Sequence, residues 1–168
     1  MTTSDELLKF LEDNRVDAKT AEHPPVHTVQ ESRDLRGEIP GVHTKNLFLR
    51  DGKKNFFLFV TDEDSTVHLK SLARKIGAKG GLSFGSPESL MELLGIQPGS
   101  VSLLATINDI AGKVTIVLDE RLRQAALINC HPLTNTRTTS LSKEAVDAFL
   151  ALTGHVPLHV SLAEDVTS

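Results

Sequence analysis

The stretch Thr44-Lys45-Asn46-Leu47-Phe48-Leu49-Arg50-Asp51-Gly52-Lys53-Lys54-Asn55-Phe56-Phe57-Leu58-Phe59-Val60-Thr61 decides the fold. Two runs dense in Phe, Leu and Val flank Asp51-Gly52, a pair that tolerates the positive φ angles of a tight turn. Leu47–Arg50 and Asn55–Thr61 therefore read as the two strands of a hairpin. Neither run alternates apolar with polar residues, so burial on both faces is predicted. Pro40-Gly41 turns the chain just upstream, and Lys45 and Asn46 stand where the first strand begins.

Helices and further strands follow on either side. Ser4 is placed to cap a helix running to about Asn14, with Asp5 and Glu6 in its first turn and Leu7, Leu8 and Leu11 on one stripe. His23-Pro24-Pro25 breaks the chain, and Thr28 is placed to cap a short helix through Leu35. Leu69, Leu72, Ala73 and Ile76 have helical spacing and meet a stop at Gly77; Ser86-Pro87-Glu88 opens a helix that ends at Gly95. Val101–Ile107 and Lys113–Leu118 read as strands, followed by a short helix near Glu120 and a strand over Ala126–Asn129. Ser142 starts a last helix with Val146, Phe149 and Leu150 inward, stopped by Gly154, and Pro157–Val160 adds an edge strand. The pattern predicts a single α/β domain with a mixed, mostly antiparallel sheet flanked by helices.

Length and composition bound the function. At 168 residues the chain is of single-domain size, and a domain this long buries roughly 70% of its unfolded surface. It has no Trp or Tyr, so its core must rest on aliphatic residues and seven Phe. The lone Cys130 has no disulfide partner, which suits a reducing, cytoplasmic setting. The start of the chain shows no signal-peptide pattern, and no apolar run reaches the ~20 residues of a membrane span. A net charge of −4 argues against nonspecific coating of nucleic acid. Local basic clusters (Lys70, Arg74, Lys75 and Lys79; Arg121 and Arg123) leave room for recognition of one nucleic-acid end.

Three segments carry candidate chemistry. Lys45 offers a point charge to a phosphate or carbonyl oxygen, and Asn46 offers a donor and an acceptor. Gly95-Ile96-Gln97-Pro98-Gly99-Ser100-Val101-Ser102 is a turn whose main-chain N–H groups can face an oxyanion, although an ordinary connection fits the same residues. In Asn129-Cys130-His131-Pro132, strand alternation puts Cys130 and His131 on opposite faces, which disfavours a Cys–His dyad, and puts Asn129 and His131 on one face. Seven His are present, but no metal-ligand spacing is found, so neither a metal nor a cofactor is expected.

Taken together, His23-Pro24-Pro25-Val26-His27-Thr28-Val29-Gln30-Glu31, Thr44-Lys45-Asn46-Leu47-Phe48-Leu49, the Gly95–Ser102 turn and Asn129-Cys130-His131-Pro132-Leu133-Thr134-Asn135 resemble the YbaK/ProX superfamily of trans-editing factors. That superfamily is related to the editing domain of prolyl-tRNA synthetase. The Asn129–Asn135 block is most similar to the free-standing branch that deacylates alanine mischarged on tRNA(Pro). One departure is visible: Leu103-Leu104-Ala105 stands where the family usually carries a Pro-Phe-Gly-like triplet that shapes the amino-acid pocket.

The resemblance implies one aminoacyl-tRNA deacylase domain over 1–168, and hydrolysis of the aminoacyl ester without metal or covalent intermediate. It implies Lys45, Asn46 and His131 as catalytic residues. Thr28, Gly99, Ser100, Val101, Ser102 and Asn129 would bind substrate. The acceptor end of tRNA(Pro) is the implied partner, with prolyl-tRNA synthetase or an elongation factor as protein partners. The alternatives are a noncatalytic tRNA- or synthetase-binding module, a deacylase for Cys- or Ser-tRNA, and a hydrolase of an unrelated small-molecule ester.

Overall fold

The computed structural model describes residues 1–25 and 39–162. In chain order its elements are α1 (Ser4–Asp13), β1 (Ala18–Glu22), β2 (Val42–Asp51), β3 (Phe56–Asp62), α2 (Leu69–Ile76), β4 (Leu82–Phe84) and α3 (Pro87–Leu94). Then come a 310 helix (Leu103–Asn108), β5 (Val114–Asp119), a 310 turn (Glu120–Gln124), β6 (Leu127–Cys130), β7 (Arg137–Ser142), α4 (Lys143–Thr153) and β8 (Leu158–Val160). The short helix expected from Thr28 to Leu35 lies outside the described residues.

The strands form one mixed sheet in the order β1-β7-β6-β2-β3-β5-β8, with β4 also on β2. The β2–β3 hairpin is antiparallel and pairs Lys45 with Thr61 and Arg50 with Phe56. β3, β5 and β8 run parallel, as do β6 and the first residues of β2. This is the mixed α/β architecture expected from the sequence.

Burial on both faces of the central strands follows from the pleat. Phe48, Leu58, Val60, Ile116 and Leu118 point into the larger core with α1, α3 and α4. The alternate residues Leu49, Phe57, Phe59 and Val117 form a smaller core with Leu72 of α2. Phe59 is fully buried, so Phe59→Ala would cost about 3–5 kcal/mol.

The helix ends obey local chemistry. The first cap is Thr3, one residue before the expected Ser4: its hydroxyl accepts from the Glu6 N–H at 3.2 Å while Glu6 accepts from the Thr3 N–H at 3.1 Å. Ser86 and Ser142 cap α3 and α4 as expected, and Gly77, Gly95 and Gly154 end their helices in the left-handed conformation.

The sequence reading needs correction in one element and additions in three. Val101–Ile107 is not a strand; Leu103–Asn108 is a 310 helix. The Ser102 hydroxyl accepts from the Leu104 N–H at 3.1 Å, the Asn46 side chain accepts from the Leu103 N–H at 3.0 Å, and Thr106 Oγ1 donates to the Leu103 carbonyl. These bonds satisfy the main chain locally, so the apolar run is buried without a strand partner. β1, β4 and β7 are additional strands, and β2 starts five residues before the expected Leu47, at Val42.

The edge of β2 that faces away from β3 is divided. β6 pairs with Val42 and His43 at its start, and β4 pairs with Leu49–Asp51 at its end. Among the described residues no strand pairs with Thr44–Leu47 on that edge. Gly41 admits the chain at φ +114°, where a Cβ would sit 3.0 Å from Leu127. Gly85 passes so close to the Phe48 ring that a Cβ would lie 2.4 Å from it.

Candidate functional site

The divided edge holds the candidate site, and the pleat of β2 sorts its residues onto two sides. Lys45 shares a side with Thr61, its partner in register, and with the smaller core. Asn46 shares the other side with Phe48 and the larger core. The two adjacent residues therefore do different work.

On the Asn46 side the polar groups are closed on one another. Asn46 Oδ1 accepts from the Leu103 N–H at 3.0 Å, so it pins the start of the 310 helix. The Thr44 hydroxyl donates to the Asn129 carbonyl at 2.8 Å and lies 3.7 Å from Cys130 Sγ. Burial pushes the Cys130 thiol up to about 11, with the Thr44 contact opposing it, so it is not a ready nucleophile.

On the Lys45 side the network is open. The Lys45 ammonium donates to the Ser65 carbonyl, in the turn after β3. An ammonium has three donors, and no other partner of this one is seen among the described residues. Arg121 Nη2 donates to the Ser65 hydroxyl at 2.5 Å. Arg121 also donates through Nε and Nη2 to Asp119 Oδ2, at 3.2 and 3.0 Å. Asp119 is fully buried and accepts in addition from Thr61 Oγ1 at 2.7 Å and from the Arg121 N–H at 3.0 Å.

His131 follows β6, which runs beside the start of β2. Its Nδ1 lies 3.1 Å from the Arg137 carbonyl. A carbonyl only accepts, so Nδ1 carries the proton and donates, which leaves Nε2 of the neutral ring as an acceptor. No partner of Nε2 is seen among the described residues.

The other expected residues are placed as follows. Asn129 is buried; its amide donates to the Pro40 carbonyl at 3.2 Å, and its Oδ1 accepts from Ser140 Oγ. Both ends of that side chain are engaged in holding β6 to β7 and to the entry of β2. Gly99 is exposed, Ser100 and Val101 are half-buried, and Ser102 is fully buried as the cap of the 310 helix. Thr28 lies outside the described residues. Among the described residues no group of three or more His, Cys, Asp or Glu is placed to hold a metal ion.

Residues 23–149 match the family described as the aminoacyl-tRNA editing domain. The chain belongs to that family. Two relatives reinforce the assignment of this editing domain. Prolyl-tRNA synthetase associated domain-containing protein 1 of Danio rerio is 36% identical over 158 residues, covering 93% of this chain and 85% of that protein. Prolyl-tRNA editing protein ProX of Acetoanaerobium sticklandii is 32% identical over 156 residues, covering 92% and 94%. The fold matches a crystal structure described as "a putative trans-editing enzyme for prolyl tRNA synthetase", with a TM-score of 0.71 at 22% identity over 96% of this chain and 97% of that one. The YbaK/ProX resemblance read from the sequence is thereby borne out.

The surroundings of Lys45 in this editing domain hold residues that the sequence did not single out. Ser65 and Asp119 drew no attention, and Arg121 was noticed only as half of a basic pair with Arg123. The two arginines part company: Arg123 forks onto Asp147 at 3.0 and 3.3 Å, whereas Arg121 turns to Asp119 and Ser65. No local pattern joins Lys45, Ser65 and Arg121; only the β2–β3–β5 register brings them together.

Proposed function

We propose that the protein hydrolyses the aminoacyl ester of mischarged tRNA(Pro), with alanine as the principal amino acid released. One observation carries the reading: in an aminoacyl-tRNA editing domain, Lys45 stands on the stretch of β2 edge that no strand pairs among the described residues, and there only the Ser65 carbonyl engages its ammonium.

Two N–H groups of Lys45 remain for the ester carbonyl oxygen or the terminal phosphate. As water adds to the carbonyl carbon, negative charge gathers on that oxygen, and a preorganised donor there is worth about 10²–10³ in rate. His131 Nε2 takes a proton from the water or from the ribose hydroxyl that relays it. The bond from the acyl carbon to the ribose oxygen breaks, the proton passes to that oxygen, and free amino acid and deacylated tRNA leave. Asn46 acts one step back by fixing Leu103, which sets the position of the Gly99–Ser102 turn. That turn faces the amino-acid end through its main chain.

Alanine over proline is a steric choice. Leu103, Leu104 and Ala105 are all fully buried, so the altered triplet acts through the core and the pocket wall falls to Gly99–Val101. A methyl-sized pocket excludes a pyrrolidine ring, but a hydroxyl is rejected weakly, so the serine ester is a side substrate. The tRNA acceptor end approaches the same end of the sheet, and Lys70 and Arg74 on α2 supply positive charge one helical turn apart. The name of the Danio rerio relative, a prolyl-tRNA synthetase associated domain-containing protein, favours association with prolyl-tRNA synthetase.

The test is amino-acid release from Ala-, Ser-, Cys- and Pro-tRNA(Pro) under single-turnover conditions. Fast release of alanine, slower release of serine and retention of proline is the expected order. Preferential release of cysteine would replace alanine as the substrate. Binding of every ester without turnover would make the protein a binding module instead.

A further inference from the structure

We infer that Arg121 is the positioning residue for Lys45, acting through Ser65 and anchored by the buried Asp119. The inference deepens the deacylase reading and rests on it.

Four hydrogen-bonded contacts form a chain from the core to the reacting edge. Thr61 Oγ1 donates to Asp119 at 2.7 Å, and Asp119 receives Arg121 through Nε and Nη2. Arg121 Nη2 donates to the Ser65 hydroxyl, and the Ser65 carbonyl receives the Lys45 ammonium. Each link removes a degree of freedom. Asp119 is fixed because it is fully buried at the end of β5 and also caps the turn that follows it. The guanidinium is planar and is held on one carboxylate oxygen by two of its donors, so its plane and direction are set. Ser65 is the variable member: it lies in the turn after β3, with its N–H on the Asp62 carbonyl at 2.9 Å. Without Arg121, that turn is the one remaining hydrogen-bonded restraint on Ser65 among the described residues besides Lys45 itself.

A lysine needs such a device more than most catalytic groups. Its stem has four rotatable bonds and its charge has no preferred direction. Preorganisation lowers the barrier only when the donor already points where charge will develop. Lys45 sits within β2 without a carboxylate on its ammonium among the described residues. A carboxylate there would compete with the ester oxygen, whereas a carbonyl aims the ammonium and leaves its charge available. The Asp119 carboxylate is kept in the interior by Arg121, with Arg121 and Ser65 between it and Lys45.

The experiment is a double-mutant cycle between Arg121→Gln and Lys45→Ala, read as kcat and KM for alanine release from Ala-tRNA(Pro), with Ser65→Ala as a second route to the same break. Arg121→Gln is expected to lower kcat about tenfold with KM within about twofold, to cost little further in the Lys45→Ala background, and to be partly rescued in Arg121→Lys. Ser65→Ala removes the hydroxyl and keeps the carbonyl, and it should reproduce the kcat loss even if Arg121→Gln folds poorly. A loss confined to KM, or the same loss with and without Lys45, would overturn the assignment. A substrate-free arm separates this inference from the deacylase reading: the rate of Lys45 acetylation by acetic anhydride, read by mass spectrometry against exposed Lys9. Several-fold faster labelling in Arg121→Gln and Ser65→Ala is expected, and unchanged labelling would overturn the relay even in a protein that released no amino acid.

Discussion

The two ends of β2 each set a charged side chain against main-chain groups, and they use it in opposite ways. At the far end Asp51 accepts from the N–H groups of Lys53, Asn55 and Lys79 and from the Asn55 amide, all at 2.9 Å. Burial works to raise its pKa, but the bonds from the Asn55 amide and from the main chain of Lys79, Asn55 and Lys53 outweigh it and hold the carboxyl well below the ordinary range. Nothing is left over to meet a ligand. At the near end Lys45 gives one of its three donors to Ser65, and His131 gives one ring nitrogen to Arg137. The remaining hydrogen-bond positions of both side chains have no partner among the described residues. Charge and burial alone do not separate a structural anchor from a reacting group; the count of unfilled hydrogen-bond positions does.

Substitutions should divide along that line. The largest effect expected after Lys45 is from His131→Ala: alanine release falls about 10²-fold or more, while the melting temperature stays within a degree or two of wild type. A normal rate with a lowered melting point would make His131 a second anchor. Next, Asn46→Ala should slow release about tenfold by leaving the buried Leu103 N–H without its acceptor, an error worth about 1–3 kcal/mol. Asn46→Asp keeps the acceptor and should recover most of the rate. At the other end Asp51→Asn should lower the melting temperature by on the order of 5 °C and leave the rate per folded molecule unchanged.

The Asp51 contrast also has a pH signature. Its folded pKa is depressed, so its contribution to stability is present above the unfolded carboxylate value of about 4 and is lost as pH falls toward the folded value. The gap in stability between wild type and Asp51→Asn should therefore narrow as pH is lowered from about 6 to 3, followed by denaturant titration. A gap that widened in acid would reverse the sign and discard the anchor. The smallest effect belongs to Cys130. Its raised pKa and burial predict slow alkylation of the native protein, and Cys130→Ala should release alanine within about twofold of wild type; rapid modification with loss of turnover would return it to the reaction.

Elements held by apolar periodicity or by caps were legible in the sequence, and elements held by polar side-chain bonds were not. The β2–β3 hairpin, the helices opened by Ser86 and Ser142, and β5 carry their signals locally. β7 reads Arg137-Thr138-Thr139-Ser140-Leu141-Ser142, a mostly polar run. It is a strand because Thr139 bonds to Thr20 of β1 at 2.8 Å and Thr138 to His23 at 2.8 Å, partners more than a hundred residues distant. Leu103–Asn108 misled in the other direction: its apolar run suits a strand, and the bond from Leu103 to Asn46 that bends it cannot be seen from the run itself. At the candidate site, Lys45, Asn46 and His131 stand out by residue chemistry, and the family resemblance implies their catalytic roles. The chain through Ser65, Arg121 and Asp119 was not, because it is assembled by register between strands.

The measurement that bears most directly on the central claim is single-turnover alanine release from Ala-tRNA(Pro) by wild type and Lys45→Ala, with the melting temperature of both recorded. A loss of about 10²–10³ in rate with the fold intact is expected, which would place the reaction at Lys45 on the open edge of β2. Near-normal release by Lys45→Ala would contradict it.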